Sequence, residues 1–138
     1  MPFRLLLLYG AIGGLASVLV GTLFRSLLAA GKRNAPAQAP PPSLQDVVEA
    51  ATHVFAGAGI GLLFWLSWGF AAIVTVPWWV RGLAFGGACA VALVIPSLAG
   101  TALRTGMRRG QAVGALIEWS YTCLMAGLAC AWIAEAVQ

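Results

Sequence analysis

The chain has 138 residues, of which 61% are hydrophobic and 9% charged, with a formal net charge of +4 and a mean hydropathy of +0.91. Soluble domains average about 25% charged residues, so this composition cannot clothe a water-facing surface and excludes a globular domain folded in water. The eight Lys and Arg fall in the short segments between apolar runs, which excludes a basic face for nucleic acid.

Residues 5–24, 54–80 and 82–103 carry no charge, and 112–134 carry one acid, Glu118. A hydrocarbon core of about 30 Å needs roughly 20 helical residues to cross it, so each run is long enough. Backbone groups in lipid must be satisfied within the segment or within a closed barrel. These runs lack the period-two alternation of barrel strands and therefore read as helices. The sequence predicts an all-α membrane protein with one domain, 1–138. It would be a bundle of four transmembrane helices at about 5–25, 53–76, 82–103 and 113–134.

The first span follows a single basic residue, Arg4, and is longer than the apolar region of a secretory signal. Arg25, Lys32 and Arg33 follow it, and positive flanks stay cytoplasmic, so we read it as a retained helix. Gly10, Gly14, Ser17 and Gly21 recur at four, three and four residues and share one helical face. A loop follows at 30–43. Its Ala-Pro-Ala-Gln-Ala-Pro-Pro-Pro stretch favours extended polyproline geometry and reads as a cytoplasmic spacer.

Ser43 and Asp46 have the spacing of a capping box, so the second helix starts in water and enters lipid near His53. Gly57 and Gly61 form a small-residue pair within it. Pro77, Trp78, Trp79 and Arg81 suggest its exit at the headgroup level, where aromatic rings and cations settle. The third span opens with the pair Gly82 and Gly86, and Pro96 predicts a kink. The fourth repeats the small-residue face with Cys123, Gly127, Cys130 and Ala134. All three cysteines (Cys89, Cys123 and Cys130) fall inside spans, where they serve as small packing residues.

Orientation follows from the basic residues. Arg25, Lys32, Arg33, Arg104, Arg108 and Arg109 lie on one side, against Arg4 and Arg81 on the other. Positive-inside bias puts both termini on the non-cytoplasmic side, and the Ala- and Gly-rich composition suggests a bacterial inner membrane. Arg104, Arg108 and Arg109 are also a candidate contact for anionic lipid headgroups. Gly13-Gly14 and Gly61-Leu62 have counterparts in Gly86-Gly87 and Gly127-Leu128, a pattern that two similar helical hairpins would produce.

Helices in lipid associate through close approach across small residues. The stripes therefore predict a tight bundle, with membrane lipids and either further copies or other membrane subunits as partners. Glu118 is the one acid within a span, and intramembrane acids are functional candidates. The competing reading places it at headgroup level beside Trp119 and Tyr121. Asp46, Glu49 and His53 lie at spacings of three and four on one face of helix two. With Glu118 they form a candidate ion, proton or polar cluster around an imidazole, which titrates near neutrality. No recognised ligand spacing is present, so neither a metal nor a cofactor is expected. The sequence favours a small non-enzymatic accessory, scaffold or assembly subunit. The alternative is a homo-oligomeric transporter or channel that handles protons, ions or a small solute through Glu118 and His53.

Overall fold

The computed structural model describes residues 3–30, 43–67 and 76–137. They form α1 (Phe3–Ala30), α2 (Leu44–Leu66), α3 (Trp78–Cys89), a π-helical segment (Ala90–Val94), α4 (Ile95–Thr105) and α5 (Arg109–Ala136). Together α3, the π segment and α4 make one long helix, so the described residues are all-helical and include four helices long and apolar enough to cross a membrane. Apart from its end residues Ala30 and Ser43, the expected Pro-rich spacer lies outside the described residues.

Each helix end has a local cause. Ser43 caps α2 by the reciprocal arrangement its spacing predicts. Its Oγ accepts from the Asp46 amide at 3.3 Å, and its own amide donates to Asp46 Oδ2 at 2.7 Å. Helix α2 closes at Leu66, with the Ser67 amide donating to the Leu63 carbonyl at 2.9 Å. The expected continuation to residue 76 falls largely on 68–75, outside the described residues. Trp78, Trp79 and Arg81, expected at the exit of the second helix, instead form the first turn of α3. Pro77 at its N-cap explains the difference. Its fixed φ suits a helix start, and its carbonyl accepts from the amides of Val80 and Arg81 at 3.0 and 3.2 Å.

The irregularity expected at Pro96 lies one turn earlier. Proline has no N–H, and its ring crowds the carbonyl four residues back. Here the preceding turn widens, and the Ile95 amide donates to the Ala90 carbonyl five residues away, a π turn. Helix α4 stops at Gly106, whose left-handed φ of 63° is open to glycine at no steric cost. The Arg108 amide then donates to Gln111 Oε1 at 3.4 Å to start α5.

Glycine contacts set the packing. A Cβ placed on Gly10 would stand 2.3 Å from the Gly57 carbonyl oxygen, and one on Gly61 2.3 Å from that of Leu6. Helices α1 and α2 therefore run antiparallel at backbone contact. The α3–α5 pair repeats this: a Cβ on Gly127 would meet the Gly82 oxygen at 2.6 Å, and one on Gly86 the Cys123 oxygen at 2.6 Å. Helix α5 touches every other helix. Two apolar clusters line it, one around Leu6, Phe64, Cys130 and Ile133, the other around Ile60, Cys89, Val94, Cys123 and Ala126. Phe85 packs against both. The outer surface is apolar as well: Leu8, Ile12, Leu15 and Leu19 form an exposed stripe on α1, and Val91 and Ile117 are similarly exposed.

Candidate functional site

Polar side chains from three helices meet inside this apolar bundle. Helix α1 contributes Ser17, α2 contributes Glu49 and His53, and α5 contributes Glu118, Trp119 and Thr122. His53 is 2% exposed, Thr122 0% and Ser17 4%. Glu118 lies two and a half turns past the start of α5, with its side chain one-third exposed. His53 lies equally far into α2, and because α2 and α5 run parallel the two residues meet at one level.

Hydrogen bonding fixes the imidazole. Ser17 Oγ donates to the Gly14 carbonyl at 2.7 Å. Thr122 Oγ1 donates to the Glu118 carbonyl, 3.1 Å away, or to Ser17 Oγ, 2.9 Å away. It also lies 2.8 Å from His53 Nδ1, where the ring tautomer decides which of the two atoms donates. Trp119 stacks on the imidazole at 4.4 Å between centroids and 19° between planes, so the ring cannot easily swing. Its Nε2 then faces Glu118 Oε1 at 3.9 Å, beyond hydrogen-bond reach. Glu49 completes the group: one donor atom each from Glu49, His53 and Glu118 lies within 4.8 Å of the others.

Beside the site a groove of about 480 Å³ runs between α1 and α5, lined by Ser17, Gly21, Gly114, Glu118 and Tyr121 among others. Neither Gly21 nor Gly114 has an atom within 4 Å of where a Cβ would stand, so the groove stays open. On the far side Trp119 lines an apolar groove of about 520 Å³ with Ile60, Leu93 and Val94. Electron-rich atoms that converge in a buried, partly open position can hold a cation.

Glu49, His53 and Glu118 thus come together. Asp46 does not join them, because its carboxylate accepts from the Ser43 amide and hydroxyl, both at 2.7 Å, in the α2 cap. Gly10, Gly14, Gly57 and Gly61 lie in the α1–α2 contact, and Gly82, Gly86, Cys123 and Gly127 in the α3–α5 contact. Cys130 is buried against α1, its Sγ 3.7 Å from the Leu6 carbonyl. Ser17 leaves its stripe to take part in the site, and Gly21 borders the groove instead of a neighbouring helix. Arg104, Arg108 and Arg109 are exposed around the turn between α4 and α5.

Thr122 and Trp119 are the site residues that the sequence reading missed. Thr122 stands four residues after Glu118 and therefore on its face, a signal that was present. Trp119, read with Tyr121 as an interfacial pair in the competing placement of Glu118, stacks on His53. At the other end of the bundle Arg81 pairs with Glu135 and ties α3 to α5. Comparison with protein-family models, curated proteins and solved structures finds no match to the chain.

Proposed function

We propose that the chain is a multi-pass protein of a bacterial inner membrane that handles a small cation at the His53–Glu118 site. Both termini would lie on the non-cytoplasmic side, with the site toward the cytoplasm. The observation that carries this reading is the meeting of His53 Nε2 and the Glu118 carboxylate at 3.9 Å inside an apolar bundle. Ionisable groups at membrane depth mark ion pathways more often than packing. The apolar outer faces support membrane insertion, because a water-soluble monomer rarely exposes continuous apolar surface on every side. The two glycine-packed pairs, α1–α2 and α3–α5, support a description as two similar hairpins.

On this reading the protein works as a homo-oligomer that moves the cation. The test is flux into proteoliposomes of the purified protein, with protons followed by a pH-sensitive dye and metal ions by a fluorescent chelator. Glu118→Gln should abolish flux while leaving insertion intact. Equal flux in the wild type, in Glu118→Gln and in empty vesicles would sink the proposal.

An accessory or scaffold role is the second reading. The open positions at Gly59, Gly87 and Gly100, where an added Cβ would meet nothing within 4 Å, favour it. Such faces allow close approach by another helix. Native mass spectrometry of the complex in mild detergent separates the two. Unrelated chains at fixed stoichiometry support the accessory role, and a homo-oligomer alone supports the first reading.

A further inference from the structure

The geometry points to Glu49, His53 and Glu118 as a binding site for one first-row divalent transition-metal ion, of the zinc or cobalt kind. This assignment rests on the cation-handling reading and names its cation. Among the described residues, this is the group of His, Cys, Asp and Glu whose donor atoms converge in this way.

The donor set decides the ion class. One imidazole nitrogen with two carboxylates is a common ligand set for zinc and its neighbours, whereas magnesium and calcium prefer oxygen donors alone. The three ligands would leave a position for water or for exchange.

Orientation agrees. With Nε2 turned to a metal, Nδ1 would donate to Thr122 Oγ1, 2.8 Å away, and a partner on one ring nitrogen aims the other at the ion. His53 is buried, and its Nε2 lies 3.9 Å from Glu118 Oε1. The groove beside Gly21 and Gly114 supplies the approach.

The experiment uses tag-free protein in detergent, titrated with zinc chloride by calorimetry and with cobalt chloride by visible absorption. One ion per chain is expected, with a cobalt spectrum of nitrogen–oxygen ligation that zinc displaces and excess magnesium or calcium does not. His53→Gln, Glu118→Gln and Glu49→Gln should each weaken zinc binding at least tenfold, and Thr122→Val by about 10- to 100-fold. His53 is buried, and its variant could fail to fold. Glu49→Gln, at a half-buried rim position, then decides the matter, with monodisperse elution as the folding check. Zinc affinity unchanged in Glu49→Gln and Glu118→Gln, or no zinc bound below millimolar concentration, would overturn the assignment. Flux without zinc binding would overturn it and leave the cation-handling reading intact. Zinc binding without flux would uphold the site and remove the transport reading.

Discussion

Thr122 Oγ1 stands 2.8 Å from Nδ1 of His53, and that contact determines which ring nitrogen faces the glutamates. Both residues are fully buried, so neither can exchange its partner for water. Thr122→Val keeps the shape and removes the hydroxyl, and with it the partner that stands 2.8 Å from His53 Nδ1. An unsatisfied buried polar group costs about 1–3 kcal/mol, so the variant should melt at lower temperature in detergent. Thr122→Ser should restore most of the loss. Equal melting of the wild type and Thr122→Val would refute the hydrogen-bond assignment.

Gly10 and Gly57 make one of the closest backbone approaches between α1 and α2. A methyl on Gly57 would stand 2.2 Å from the Gly10 oxygen, and backbone cannot yield as a side chain does. Gly57→Ala should therefore force the helices apart and destabilise by about 1–3 kcal/mol, the usual range for overpacking. Gly59→Ala on the same helix meets open space and should leave the melting temperature of the isolated chain unchanged. Both are read in one thermal-unfolding series. A neutral Gly57→Ala would mean that the helices are less closely packed than described.

Gly10 and Gly14 illustrate how far the sequence can be read. Periodicity showed that Gly10 and Gly14 share a face, because four-residue spacing does so in any helix. It did not show which helix that face meets, since periodicity carries no information about partners. The four helices were visible because each apolar run approaches the length needed to cross lipid. Ser43 and Asp46 announced their cap by spacing alone. Thr122 stayed hidden because a single hydroxyl in an apolar helix usually bonds its own backbone. The stacking of Trp119 on His53 was not legible, because periodicity does not say which helix a side chain meets. Pro96 announced an irregularity in the third span, since its missing N–H and its ring act on the preceding turn, but not that the irregularity would be a π turn.

Arg81 and Glu135 join α3 to α5 at the end of the bundle away from the site. Arg81 is largely buried, with 13% of its side chain exposed, whereas Glu135 is half exposed. Solvent screening of the glutamate limits the pair to about 1 kcal/mol or less. Glu135→Gln should therefore lower the melting temperature only slightly and leave zinc affinity unchanged, because the two ends are packed separately. Loss of zinc binding in Glu135→Gln would show instead that the ends are coupled through α5.

The orientation can be tested with the chain's own cysteines as an internal blank. Cys89, Cys123 and Cys130 are 6%, 4% and 0% exposed, so a membrane-impermeant maleimide should not label the folded wild type. Thr105 and Val137 are exposed at opposite ends of the bundle, and each can be replaced by cysteine without disturbing the core. With Arg104, Arg108 and Arg109 held in the cytoplasm by positive-inside bias, Val137→Cys should be labelled in intact cells. Thr105→Cys should be labelled only after the membrane is opened. The reverse pattern would turn the protein over and make the Glu49–His53–Glu118 site face the outer compartment, so that it would draw its cation from there. Labelling of both variants in intact cells would mean that Thr105 is not shielded by a membrane and would count against the four-span arrangement itself.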